Sequence, residues 1–286
     1  MFEKLPDKKQ VIEYDDAGVI PLYYYPDTDY LFKMMGVRTI EMALLEKKDL
    51  ALDVGCGIGK EAVMMAERGA RVVGLDPSKI MVKKARDWVN SSKQEVSIVR
   101  GAGECLPFRD NAFDAVTCKG AMDHFASPRA TLKDFSRVLK PQGRAVVSLA
   151  NFESLGFKMA RRIHAIRRKL KLVGDGPTPW DVPKDHTVRF DYLVLKAYMD
   201  GVLKRSGMRG HSMFWNLHRW GRILNALPKR ISWTIMQFLD GIAKLFPMLG
   251  DIIIARGTPI KESSKRGNQP KKVSFLPKMI FQNSTD

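Results

Sequence analysis

The residues best suited to chemistry in this chain are an acid and three glycines at fixed spacing, Asp53, Gly55, Gly57 and Gly59, within Leu50-Ala-Leu-Asp-Val-Gly-Cys-Gly-Ile-Gly59. Glycine tolerates positive φ and carries no Cβ, so a ligand can lie directly against such a turn. The run before the turn reads as a short apolar strand. Glu61 to Arg68 reads as a helix stopped by Gly69, and Arg71 to Leu75 as a second strand ending at Asp76. A carboxylate at that strand end, about twenty residues beyond the first glycine, can accept the hydroxyl protons of a ribose. The expected ligand is an adenosine-bearing cofactor. The dinucleotide pattern Gly-x-Gly-x-x-Gly would need glycine at 60, where the chain has Lys60, whereas Asp-x-Gly-x-Gly-x-Gly fits throughout.

The elements that must position these residues follow from periodicity. Asp27 to Lys47 reads as a helix with Tyr30, Leu31, Met34, Met35, Ile40, Ala43 and Leu44 on its apolar positions, serving either as a lid over the ligand or as a packing helix. Strands are expected near 71–75, 96–100, 113–118 and 143–149, separated by helical stretches, which is the alternation of a parallel sheet. Beyond Ala150 the alternation breaks. A Gly-, Pro- and Asp-rich loop, Gly174 to Asp185, precedes His186; a helix from Phe190 to Ser206 and a strand near His211 to Trp215 follow. Apolar helical segments broken by Pro228 and Pro247 then lead into a final strand, Asp251 to Gly257.

The turn and three later segments, Gly101-Ala-Gly-Glu-Cys-Leu-Pro-Phe108, Asn111-Ala-Phe-Asp-Ala-Val116 and Leu139-Lys-Pro-Gln-Gly-Arg144, together resemble the class I S-adenosylmethionine-dependent methyltransferases. The resemblance is to the small-molecule and lipid-acceptor group related to quinone and sterol methyltransferases, and covers roughly residues 45 to 150. It implies a Rossmann-like α/β fold: a seven-stranded, mostly parallel sheet with helices on both faces, the last strand antiparallel between the fifth and sixth. It also implies helical insertions after strand five and before strand seven, at about 151–206 and 216–250, inside a methyltransferase domain at 27–257. Residues 1–26 are expected to be irregular and 258–286 a basic, disordered tail. The implied cofactor is S-adenosyl-L-methionine. Asp53 and Gly55 would face its amino acid end, Gly57 and Gly59 would line it, and Asp76 would hold the ribose. The family's usual acid for adenine is replaced by Ala102, which leaves adenine to backbone groups of Ala102 and Gly103 and to Glu104.

Charge separates the two halves. The chain of 286 residues carries a net +17; residues 1–150 hold 23 Lys and Arg against 21 Asp and Glu, and residues 151–286 hold 25 against 10. Such a block concentrates anionic partners near its surface. Lys158 to Val173 places Met159, Ile163, Ile166, Leu170 and Val173 on one stripe, with Arg161, Arg162, Arg167, Arg168, Lys169 and Lys171 around it and no acid. This pattern reads as a helix for an anionic membrane surface or as a packed helix with a solvated basic face. Residues 231–249 supply an apolar surface, read either as part of an acceptor pocket or as a core helix. Together they suggest a small or amphiphilic, lipid-like or quinone-like acceptor.

A sulfonium methyl is already activated, so transfer asks for alignment, a dry pocket and in some cases a base. His124 and His186 are the candidate bases. Asp123 and Lys119 share the edge after strand four, where Lys119 would touch cofactor or acceptor, and Trp180 and Asp181 would join His186 in the pocket. The alternatives are an RNA or other nucleic acid methyltransferase, which the charge also suits, and a non-catalytic S-adenosylmethionine-binding regulatory protein. Cys56, Cys105 and Cys118 show no paired spacing, so no disulfide framework and no metal site are expected. No signal-peptide layout and no uncharged apolar run of about 18 residues is found, which predicts a cytoplasmic protein, soluble or peripheral on a membrane.

Overall fold

A computed structural model describes residues 13–15 and 25–260, apart from 175, 177, 179, 184 and 216. Most of the expected N-terminal segment and the tail from 261 lie outside the described residues. The elements run α1 (Pro26–Ala43), β1 (Leu50–Val54), α2 (Lys60–Ala66), β2 (Arg71–Asp76), α3 (Lys79–Ser92), β3 (Val96–Arg100), β4 (Phe113–Lys119), α4 (Pro128–Val138), β5 (Leu139–Ala150), α5 (Leu155–Lys169), α6 (Tyr192–Met199), β6 (Leu203–His211), α7 (Trp220–Asn225), α8 (Lys229–Leu245), a 3-10 turn (Pro247–Leu249) and β7 (Ile252–Pro259).

The seven strands form one sheet in the order β3-β2-β1-β4-β5-β7-β6. The pairs among β1 to β5 are parallel, and β7 runs antiparallel to both β5 and β6. Strands covered on both faces are almost continuously apolar. Leu52, Val54, Val116, Cys118, Val147, Leu149, Ile253 and Ala255 accordingly join the main core with no or almost no exposure. The strand order reverses between β1 and β4, and open α/β sheets bind ligands outside the carboxyl ends of the strands at that point. The glycine turn lies there.

Side-chain caps start the helices that flank the site. Ser78 accepts from Met81 N at 3.3 Å to open α3, Ser154 from Phe157 N to open α5, and Asp191 from Leu193 N and Val194 N to open α6. Of the two roles open to α1, the structure shows packing: Leu31, Met35 and Ala43 pack with Val146 of β5 and Ile252 and Ile254 of β7.

Several boundaries differ from the sequence expectation. The helix expected to reach Ser206 stops at Met199, because Gly201 turns the chain at φ 76° and Leu203 onward pairs with β7. The strand expected at 211–215 is therefore β6, Leu203–His211, with a register shift between Arg205 and Gly207. Non-local pairing with β7 outweighs the local helical pattern. The fifth strand is also longer than 143–149, since Leu139 already pairs with Phe113 before a register shift.

α8 does not bury an apolar stripe. Its buried residues are Ser232, Met236, Asp240 and Ala243, while Ile231, Phe238 and Leu245 face outward. Asp240 holds the helix in place. His211 Nδ1 lies 2.6 Å from its Oδ1, and Arg209 and Arg38 donate to its Oδ2 at 3.1 and 3.4 Å. The His211 ring, fully buried, is also 3.2 Å from Leu31 O and stacks on Tyr30. Burial by itself would raise the Asp240 carboxyl, but the hydrogen bond and charge of His211 and the charge of Arg209 hold it below the usual carboxylate range. One carboxylate thus joins α1, β6 and α8. Asp240→Ala leaves two guanidinium groups and a buried imidazole without their common partner, and is expected to destabilise the fold by about 3 kcal/mol, read as a lower urea midpoint; an unchanged midpoint would refute the anchoring role.

Candidate active site

The turn between β1 and α2 is fastened to the end of β2. Gly55 N and Cys56 N donate to Leu75 O at 2.8 and 3.1 Å, and Gly57 N donates to Asp76 Oδ2 at 2.9 Å. Ser78 N donates to Asp76 Oδ1, also at 2.9 Å. The glycines serve different ends. At Gly57 a Cβ would meet nothing within 4 Å, so this is where the turn is open to a ligand, whereas at Gly59 it would meet Ala85 and Val89 of α3. Gly59 therefore shapes the turn, with φ 78°, and does not line the open space that was expected to include it.

Asp76 is fully buried, and burial raises its carboxyl against the lowering effect of its hydrogen bonds. One of these comes from the segment before α1: Tyr14 donates its hydroxyl to Asp76 Oδ2 at 2.8 Å, and Ser78 donates its hydroxyl to Tyr14 O at 3.0 Å. Glu13 accepts from Lys79 N and from Arg100. Residues 13–15 thus lie across the Asp76 end of the turn. Nothing in the sequence around Tyr14 signals this.

Asp53 ends β1 and accepts from the Thr117 hydroxyl of β4 at 2.8 Å. Burial first, and then the charge of Glu61, push its carboxyl up to about 7. Lys119 is committed to Glu61 at 2.7 Å. Two carboxylates facing a single ammonium make this end of the site suited to a cation. On the third-strand side Ala102 is exposed, Gly103 is buried beneath the Phe125 ring, and Glu104 accepts from Ala126 N at 2.8 Å.

After β4 the chain returns to the turn: a Cβ on Gly55 would stand 2.4 Å from that of Ala121. Asp123, His124 and His186 then converge. His186 Nδ1 is 3.3 Å from Asp123 Oδ2, His124 Nε2 is 3.9 Å from Asp123 Oδ1, and the two imidazoles meet edge to face at 4.6 Å. Burial lowers the His186 imidazole despite the nearby Asp123 charge. Thr187 fastens the two segments, donating its N to Asp123 O at 2.7 Å and its hydroxyl to Phe125 O at 2.5 Å. The two expected histidines are brought together, but Trp180 is not placed with them. Its ring meets His164 of α5 at 5.4 Å, and Asp181 is used to accept from Thr178 N.

A separate concavity lined by Glu46, Asp49, Asp114, Lys140 and Arg144 lies at the opposite ends of the strands, where Arg144 pairs with Asp49 and Lys140 with Asp114. It is the wrong end of a parallel sheet for the ligand.

Residues 52–147 match the family described as methyltransferase domain. Over this segment the chain is similar to methyltransferase domains. The methyltransferase YcgJ of Bacillus subtilis is 34% identical over 106 residues, 37% of this chain and 42% of that protein. Its crystal structure superposes with a TM-score of 0.52 over 80% of this chain and all of that one, at 18% identity, a likeness of fold. Demethylmenaquinone methyltransferase of Thermus thermophilus is 38% identical over 38% of this chain and 51% of its own length, and ubiquinone biosynthesis O-methyltransferase of Maricaulis maris 34% over 55% and 58%. The chain spans about half the length of the curated relatives it matches. The matched segment contains the glycine turn, Asp76 and the strands on either side. The cofactor of such a domain is S-adenosylmethionine, and the open face at Gly57, the buried acceptor Asp76 and the anionic end at Asp53 and Glu61 fit its adenosine and its cationic amino acid portion.

Asp53 also sets a pH dependence. Its carboxyl titrates near 7 in the fold and near 3.8 as a free side chain, so between those values the native state keeps a proton that the unfolded chain has lost. This contribution to stability is full below about pH 4 and declines as pH rises toward 7. Asp53→Asn retains an acceptor for Thr117 without the titration. Its unfolding free energy should gain on the wild type by about 1 kcal/mol per pH unit between pH 5 and 7, measured by denaturant titration; parallel pH curves would refute the assignment.

Proposed function

We propose that the protein transfers a methyl group from S-adenosylmethionine to a small or amphiphilic acceptor, lipid-like or quinone-like in character. The observation that carries the reading is the glycine turn fastened to Asp76 beside the open face at Gly57. Asp76 takes the ribose hydroxyls, Asp53 and the Glu61–Lys119 pair face the amino acid portion, and the backbone at Ala102 and Gly103 with Glu104 flanks adenine. A ribose reaching Asp76 meets Tyr14 there, so residues 13–15 close that end of the site.

When bound, the sulfonium supplies an activated methyl carbon. The chain has to hold the acceptor in line behind that carbon, exclude water and relieve the acceptor of a proton. Asp123, His124 and His186 stand beside the glycine turn on the acceptor side, and we assign removal of the acceptor's proton to this end of the site. The relatives named for quinone biosynthesis support an acceptor of that kind.

The second half of the chain supports an amphiphilic acceptor met at a membrane surface. α5 is anchored by Gly156, Phe157 and Ala160, but Ile166, Leu170 and Leu172 are more than half exposed beside Arg162, Lys169 and Lys171. It packs beside the 3-10 turn, where Leu245, Phe246 and Met248 are likewise more than half exposed. On the basic face Arg161 pairs with Glu153 and donates to Phe152 O, and Arg167 meets the His218 ring. Apolar residues at the level of a basic rim suit an anionic bilayer surface. No helix among the described residues is long and apolar enough to cross a membrane.

Incubation with methyl-labelled S-adenosylmethionine and separate lipid, small-molecule and RNA extracts should label the lipid or small-molecule fraction. Gly57→Arg, which fills the open face, should abolish cofactor binding and labelling together. Label in RNA alone would overturn the acceptor class, and cofactor binding without label in any fraction would favour the regulatory reading. In a separate measurement, the wild type should sediment with anionic liposomes at moderate salt, while a variant with Arg162, Lys169 and Lys171 changed to Glu should remain in the supernatant. Equal behaviour of the two would refute the membrane surface.

A further inference from the structure

We propose that Asp123, His124 and His186 bind one divalent transition-metal cation, with zinc the best fit. Each residue offers one ligand atom, and all three atoms lie within 4.8 Å of one another. His186 Nδ1 lies 3.3 Å from Asp123 Oδ2 and His124 Nε2 3.9 Å from Asp123 Oδ1, against an edge of about 3.3 Å in a tetrahedral zinc site whose bonds are about 2.0–2.1 Å, so a small rotation of the carboxylate closes the set on one oxygen. Two imidazoles and a carboxylate suit zinc, cobalt or iron better than magnesium or calcium, which favour all-oxygen shells.

The polar bookkeeping points the same way. The Asp123 side chain is 7% exposed and that of His186 10%, yet among the described residues neither Asp123 Oδ1 nor His186 Nδ1 has a hydrogen-bond partner. The 3.3 Å approach of His186 to Asp123 is a contact of unaligned groups. Buried polar atoms are nearly always satisfied, and unsatisfied ones in one cluster call for a missing partner. A cation facing both lone pairs supplies it.

The surroundings are those of a ligand set. His124 Nδ1 lies 3.1 Å from Asp185 Oδ2, which holds the proton on that nitrogen and leaves the Nε2 lone pair toward Asp123. A carboxylate behind a ligating imidazole is the usual outer support of a zinc site. Thr187 fixes the backbone of both loops. His124, 42% exposed, gives the cation its way in. The sequence expectation of no metal rested on the cysteines, which show neither paired spacing nor a histidine partner pattern, and these ligands come from two loops that only folding brings together.

Three protein ligands leave a fourth position open. In the methyl-transfer reading, on which this step rests, that position takes a hydroxyl oxygen of the acceptor. The O–H bond breaks with the proton passing to water beside His124. The oxygen keeps the electron pair and forms the bond to the methyl carbon as the carbon–sulfur bond breaks, leaving a neutral thioether.

The test uses untagged full-length protein stripped with a chelator and titrated with Co2+. One Co2+ per chain with the visible absorption of a four-coordinate site, displaced by Zn2+, is expected. His124→Gln, at a half-exposed position that leaves the core intact, and Asp123→Asn should each weaken binding on the order of tenfold or more, while His218→Gln should leave it unchanged. Absence of the absorption, or Co2+ binding unaltered by His124→Gln, would overturn the site. Methyl transfer measured in parallel should fall on chelation and return with Zn2+. Transfer indifferent to chelation in protein that binds Co2+ would overturn the role of the fourth position. Intact Co2+ binding with no transfer to any acceptor would instead overturn the methyl-transfer reading and support the cation site alone.

Discussion

The Asp76 carboxylate is the constraint on which the site depends. It is buried at the end of β2 and accepts from Gly57 N, Ser78 N and Tyr14, so one side chain ties the turn after β1 to the start of α3 and to the segment before α1. An unpaired carboxylate in that place would be costly. The acceptors that hold the turn in shape are also those a ribose would use, so in the proposed reading the shape of the turn and the affinity for a nucleoside would be set by the same atoms. Gly57 permits this because its missing Cβ faces open space, whereas Gly55 and Gly59 are glycines for reasons of packing and turn shape.

Legibility in the sequence followed the range of the interactions. The β1–turn–α2–β2 unit is written in consecutive residues, and the strands among β1 to β5 are apolar runs between recognisable turns. The start of β6 was not legible, because the stretch Leu203–Ser206 is extended only by virtue of its pairing with β7. The inward face of α8 was hidden for a similar reason. By periodicity an apolar-rich helix should bury Ile231, Phe238 and Leu245, but Asp240 has three cationic or imidazole partners on β6 and α1, and satisfying them turns the apolar residues outward. The loss of apolar burial at three positions is the lesser cost beside a buried carboxylate left without partners.

The acceptor side shows the limit of spacing arguments most clearly. His124 was identifiable from its place after strand four and His186 from its place after the Gly-, Pro- and Asp-rich loop, yet nothing in the sequence joined the two to each other. The structure joins them through Asp123 and through Thr187, a residue with no local pattern at all. Tyr14 is a second case: it lies in a segment that reads as irregular, and its use is defined only by a strand end 62 residues further along the chain.

The two halves of the chain divide the physical work. In the half before Ala150 charge is nearly balanced, and many of its carboxylates are engaged with backbone amides, with Thr117, or with Lys119, Arg137, Lys140 and Arg144. The later half carries the positive excess, and there basic and apolar residues are exposed together on α5 and around the 3-10 turn. Exposed Leu, Ile and Phe at such density would be a liability on a surface that met only water. The helices between β5 and β6 and between β6 and β7 carry this surface while Asp240 and the α5 cap fix them to the same sheet that carries the turn. In the proposed reading, a partner that covers the apolar residues and neutralises the basic rim would thereby be held in fixed register with the end of the sheet that carries the glycine turn, a geometric requirement that methyl transfer to an amphiphile would impose and a small, freely diffusing acceptor would not.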